Sequence, residues 1–187
     1  SVTAGDSIPN TRFVISGPGG RLDVVTALND IQGEFIASAP IGAVTSTLGD
    51  IDASITTTTR RGSVGTLTAG RDLILDADIS RGLSGLVAGR HIGDREDPTV
   101  ILVRGNLTTA TAPNGQLYSD IRVGQNITGT ITLGAAPALP ANDQTGQGSL
   151  IAFGSIASVV INGDFGGSIV SYTGGIASVA INNGSFL

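Results

Sequence analysis

A four-position apolar signature recurs down this chain at intervals of about twenty residues, and a period of that size belongs to a solenoid, not to an ordinary globule. It runs apolar, two residues, apolar, one residue, apolar, three residues, apolar. Leu22/Val25/Ala27/Ile31, Val64/Leu67/Ala69/Leu73, Leu83/Leu86/Ala88/Ile92 and Ile156/Val159/Ile161/Phe165 fit it, and Ile176/Val179/Ile181/Phe186 fits with one added residue. The repeat is also literal: Gly154-Ser-Ile-Ala-Ser-Val159 returns as Gly174-Gly-Ile-Ala-Ser-Val179.

Directly before the last apolar position stands a small polar residue, and Asp30, Asp50, Asp72, His91, Asn106, Asn126, Asp164 and Ser185 read as one corner slot. Glycines such as Gly49, Gly70, Gly105 and Gly163 precede it and suit a sharp change of direction. Each corner leads into strict alternation, with Leu73, Leu75, Ala77 and Ile79 on one side and Ile74, Asp76 and Asp78 on the other, which is a strand period. Each unit therefore holds two or three short strands, and equivalent residues of successive units should stack about 4.8 Å apart. Leu67, Leu73, Leu75, Ile79, Leu86, Ile131, Val159, Ile161, Phe165 and Val179 are expected to point inward.

Three architectures with related repeats are excluded by detail. A leucine-rich repeat would follow the polar residue with a helix or 3₁₀ turn, where this chain alternates. A left-handed hexapeptide helix needs an apolar residue every six positions, which is not sustained, and calcium-binding nonapeptide repeats need an aspartate that Gly166-Gly-Ser lacks. The expected fold is all-β, a parallel β-helix of about eight coils with right-handed winding. Residues 1–20 form an N-terminal edge or cap, and 21–187 form the solenoid. Insertions at 93–98, 113–116 and 134–148 are expected to emerge at corners.

Composition agrees with a thin core. Of 187 residues, 40% are hydrophobic but only 4% aromatic. The chain contains neither Cys nor Met and opens on Ser1, the mark of a processed product or an excised piece. All ten basic residues are Arg and the net charge is −5, which argues against a nucleic-acid partner. Arg60, Arg61, Arg71, Arg81 and Arg90 are read as solvated rungs interleaved with Asp50, Asp72 and Asp94. No run is long enough to insert directly into a membrane.

Gly70-Arg-Asp-Leu-Ile-Leu75 and Gly124-Gln-Asn-Ile-Thr-Gly-Thr-Ile-Thr-Leu133 resemble the β-helical repeats of large bacterial surface and secreted proteins, of the autotransporter-passenger and haemagglutinin-adhesin type. The resemblance covers the chain as a repeat type over roughly 130 residues. It implies an extracellular or cell-surface setting and a structural role, and it transfers no catalytic residue.

No catalytic set is visible. Asp76 and Asp78 share an outward side, but Ser54 and Thr56 are their expected neighbours, so no carboxylate cluster forms. The single histidine, His91, without cysteine partners, excludes a zinc site. Stacked Asp30, Asp50 and Asp72 would repel, and two readings compete: Ca²⁺ between them, or each carboxylate bonding the backbone of its own corner, the favoured one. In the acidic loop Asp94, Glu96 and Asp97 are candidate Ca²⁺ ligands, set against a plain solvated loop. Two Tyr, five Phe and no Trp tilt the reading away from sugar binding.

The expected function is a non-enzymatic extracellular structural module: a stalk, surface-layer element or fibre subunit. The alternatives are an adhesin segment that binds a glycan or protein through the 134–148 loop, and a polysaccharide-processing β-helix enzyme. The last coil lacks a cap. Ile176, Val179, Ile181 and Phe186 are therefore the expected assembly edge, covered by the next coil of a longer chain or by a second copy in an end-to-end filament.

Overall fold

The computed structural model describes residues 1–17, 20–134 and 148–186. They form two parallel sheets wound as a β-solenoid of about eight turns, with about 22 residues per turn. Sheet A contains β1 (Val2–Ala4), β3 (Leu22–Ala27), β5 (Ile41–Ser46), β7 (Val64–Ala69), β9 (Leu83–Ala88), β11 (Leu107–Ala112), β13 (Ile127–Leu133), β15 (Ile156–Asn162) and β17 (Val179–Asn182), in that order. Sheet B contains β2 (Ile8–Ile15), β4 (Ile31–Ala37), β6 (Ile51–Thr57), β8 (Leu73–Ile79), β10 (Val100–Val103), β12 (Asp120–Val123), β14 (Leu150–Ala152) and β16 (Ile169–Ser171). Each turn is one strand of each sheet.

The geometry explains the sequence signature. Its first three positions are the inward residues of a sheet A strand, as in Leu22, Val25 and Ala27 of β3, and the fourth, Ile31, opens the following strand of sheet B. The gap of three between the first two inward residues is shared by neighbouring strands of sheet A and keeps them in register, Leu22 with Ile41 and Val25 with Val44. Among the described residues of sheet A, pairing shifts only at β13, where the gap from Ile127 to Ile131 is four. Sheet B alternates strictly: Leu73, Leu75, Ala77 and Ile79 are buried.

The core is a stack of aliphatic layers. Ile31 pairs with Ile51 and Ile51 with Leu73, each fully buried. Phenylalanine rings meet near the ends, where Phe13 stacks on Phe35 at 4.6 Å and Phe165 meets Phe186 edge-on at 5.7 Å, and in the middle the buried Tyr118 lies 5.1 Å from His91. Nine of the ten residues expected to face inward are buried; Val179 is 45% exposed. It pairs with Val159 below, and among the described residues no strand lies on its other side.

The excursions differ in kind. Residues 113–116 turn a corner between β11 and Leu117, with Gly115 N–H bonded to Ala112 C=O at 3.2 Å. The 93–98 loop instead leaves within the wall of sheet B, because Ile92 still bridges Leu73 and pairing resumes only at β10. Of the 134–148 insertion, residues 135–147 lie outside the described residues. Its flanks remain in the ladder: Gly134 N–H reaches Ala112 C=O at 2.7 Å and Gly148 N–H reaches Leu117 C=O at 2.8 Å.

Candidate functional site

The residues read as one corner slot occupy two corners. Asp30, Asp50, Asp72 and His91 stand at the entry to sheet B, before Ile31, Ile51, Leu73 and Ile92. Asn106 and Asn126 stand at the other corner, before Leu107 and Ile127 of sheet A. The two were indistinguishable in sequence because both corners use the same Gly-Asx chemistry.

Their hydrogen bonds also run differently from the expectation of self-capping. The Asp30 carboxylate accepts the Asp50 amide at 2.9 Å, Asp50 accepts the Asp72 amide at 2.9 Å, and Asp72 accepts the His91 amide at 3.1 Å. His91 Nδ1 continues the column by accepting the Gln116 amide at 3.0 Å. At the other corner Asn106 accepts the Asn126 amide at 3.0 Å and Asn126 the Ser155 amide at 2.8 Å. Each corner side chain therefore stitches its own turn to the next.

Repulsion within the carboxylate column is relieved by arginines one turn on. Arg71 grips Asp50 with two nitrogens, at 3.2 and 2.6 Å, and Arg90 grips Asp72 the same way. Burial lowers the His91 imidazole below its usual value, opposed by Asp72 and assisted by Arg90. That direction suits the neutral ring whose Nδ1 accepts a proton donor. The position needs an acceptor more than a charge, so Asp50→Asn is expected to keep most of the stability. Asp50→Ala, which strands the Asp72 amide, should lose about 1–3 kcal/mol. Denaturant melts of the two variants check this, and equal losses would assign the effect to charge.

The outer faces of the two sheets are chemically opposite. Sheet A presents Thr26, Thr45, Thr68, Val87, Thr111 and Thr132 in register, and its strands carry one charged residue, Asp23, paired with Arg21. Sheet B carries Arg12, Glu34, Asp52, Asp76, Asp78, Asp120 and Arg122 within its strands. Polar recognition chemistry is therefore concentrated on sheet B.

One part of that face is acidic. Gln32, Asp52, Ser54, Asp76 and, from the 93–98 loop, Asp97 line an open groove of about 340 Å³. Burial raises the Asp52 carboxyl above its ordinary value, and Asp50, Asp94 and Asp97 raise it further. Asp76 and Asp78 do lie over Ser54 and Thr56. Of the Ca²⁺ candidates, Asp94 bonds the Glu96 amide of its own loop at 2.9 Å, and Asp97 faces the groove. Among the described residues no three His, Cys, Asp or Glu are arranged to hold a metal ion.

The other part is aromatic. Phe153 and Tyr172 follow β14 and β16 at the same corner of successive turns, 59% and 67% exposed, with ring centroids 6.5 Å apart. Sequence reasoning missed this pair because neither residue belongs to the inward signature. Their shared place, one residue after a sheet B strand, was the available signal. Beside them Arg122 donates to Asp120 at 3.0 Å; further along the sheet Arg104 holds Asp78 at 2.9 and 2.7 Å. Burial raises the Asp120 carboxyl, but hydrogen bonds from Arg122 and Ser149 outweigh it and hold the group below the usual carboxylate range.

At the end of the solenoid Ile176, Val179 and Phe186 are 37%, 45% and 52% exposed, while Ile181 is half-buried against the core. Ile176 bridges Ile156 and Phe186 bridges Phe165, so all four occupy the repeat's inward positions. They form an apolar terminal layer.

No family model matches the chain, and neither a curated protein nor a solved structure shows significant similarity to it.

Proposed function

We propose that this chain is a non-catalytic structural module of the cell surface or extracellular space, a stiff solenoid rod that serves as a stalk, surface-layer element or fibre subunit and associates end to end. The observation that carries this reading is the uniform two-sheet stack, in which each turn pairs in register with the next; the apolar layer of Ile176, Val179 and Phe186 is the surface on which a further turn, of a longer chain or of a second copy, would stack. Exposed inward residues on a strand edge favour pairing with another edge. The opposite end offers a complementary surface in β1 and β2, the edge strands of sheets A and B. A contact between unlike ends is head-to-tail and propagates unless its rotation closes. The extracellular setting rests on the resemblance of the repeats.

Sedimentation velocity across a range of concentrations, with negative-stain images of the same samples, tests the reading. Association into rods longer than the roughly 40 Å of eight stacked turns is expected, and Val179→Asp should abolish it. A monomer at every concentration would overturn end-to-end assembly.

A further inference from the structure

We propose that the aromatic corner of sheet B is a binding site for a neutral polysaccharide lying along the solenoid axis. This does not rest on the rod reading, since it uses the side of the solenoid and not its end. A shallow groove of about 440 Å³ runs past Leu102, Arg122, Gly124 and Ile151 to the rings of Phe153 and Tyr172. Both rings are held outward by fixed backbone. Phe153 N–H bonds Val123 C=O at 2.8 Å, Tyr172 N–H bonds Ala152 C=O at 3.1 Å, and Phe153 C=O accepts both the amide and the hydroxyl of Thr173 at 2.9 and 2.7 Å.

The groove is kept open by construction. One turn before Phe153 the same corner is Gly124, where a Cβ would sit 2.4 Å from the Arg104 carbonyl oxygen, so no side chain can fill the space beside the ring. The two exposed rings on successive turns, inclined at 39° to each other beside a bare position, present two apolar faces against which flat ring surfaces can pack.

The polar rim specifies the rest of the ligand. Arg122, the charged residue among those lining the groove, is paired with Asp120 at 3.0 Å, so the rim offers a hydrogen-bonding fork but no net charge. A polyanion would find the lining cation already paired, and a polycation would find that cation's carboxylate partner already engaged. A ligand with apolar ring faces and peripheral hydroxyls, and without charge, matches both halves of the site. A pyranose unit is also close in length to the spacing of successive turns, about 4.8 Å. A chain along the axis can thus meet Ile151, Arg122 and Leu102, which are in register on consecutive strands, one sugar per turn.

The protein carries its own reporter. It has two tyrosines and no Trp; Tyr118 is buried and Tyr172 is exposed in the groove, so Tyr118→Phe leaves fluorescence that reports Tyr172 alone. Titrating that variant with cellohexaose, laminarihexaose and isomaltohexaose should give a saturable change with at least one of them. On the wild-type protein, calorimetry should show about tenfold weaker binding for Phe153→Ala and for Tyr172→Ala. Val24→Ala, on the outer face of sheet A, should bind unchanged. Absence of binding to all three hexasaccharides, or binding insensitive to both aromatic changes, would overturn the site. Tighter binding of hexagalacturonate would overturn the neutral class.

Discussion

Gly33→Ala is expected to destabilise the first turns by about 3 kcal/mol or more. Gly33 sits in β4 at φ 148°, a conformation that side-chain-bearing residues rarely adopt, and that strain alone costs roughly 1–3 kcal/mol. A Cβ there would lie 1.9 Å from the Thr11 carbonyl oxygen, which forces the backbone of β2 away and adds an overpacking cost of about 1–3 kcal/mol. The position has a structural origin. Between Ile8 and Thr11 the pairing of β2 with β4 slips by a residue, Asn10 takes a φ of 40°, and the two backbones close on each other at the glycine. Gly175→Ala is the control, because a Cβ there meets nothing within 4 Å, and it should stay within about 0.5 kcal/mol of wild type. Equal melting of the two variants would show that the irregularity at β2 does not demand glycine.

The second large effect lies in the middle of the stack, where Leu73→Ala should cost about 2–5 kcal/mol, the range for emptying a buried aliphatic site. Leu73 is fully buried, pairing with Ile51 on one side and bridging Ile92 on the other, so both neighbouring turns lose contacts. Because a solenoid turn touches only its neighbours, amide exchange should accelerate first in β6, β8 and around Ile92. Val179→Ala removes a side chain of the same class from a half-open layer and should cost under about 1 kcal/mol in the monomer. If Leu73→Ala cost no more than Val179→Ala, the burial order along the axis would be wrong.

The architecture was legible because two periods coincide. A residue such as Leu67 is inward on a sheet A strand and Leu75 is inward on a sheet B strand, so the combined signature marks both strands and the corner between them. Corner chemistry was legible only as chemistry. Asp72 and Asn106 look equivalent by spacing, and only the registry of whole turns assigns them to different columns with different next partners. The aromatic groove was less legible still. Phe153 and Tyr172 meet because β14 and β16 pair in register a whole turn apart, Ala152 with Ser171, a registry no local pattern carries. Asp97 joins Asp52 and Asp76 for a similar reason: the wall of sheet B opens at Ile92 and folds its loop over the preceding turns.

The corner ladder makes the length of this molecule a modular variable. Each acceptor reads only the amide of the following turn, so excising Ile51 through Asp72 would place Asp50 directly before Leu73, its carboxylate facing the His91 amide in place of Asp72. The strands that then meet already match, β4 with β8 at seven residues each and β5 with β9 at six. Removing half a turn would instead set an uncharged, threonine-bearing strand against a charged one and break both columns. Loss of that whole turn is thus an inexpensive path by which such a chain changes its reach, since an aspartate again accepts the amide of the turn that follows.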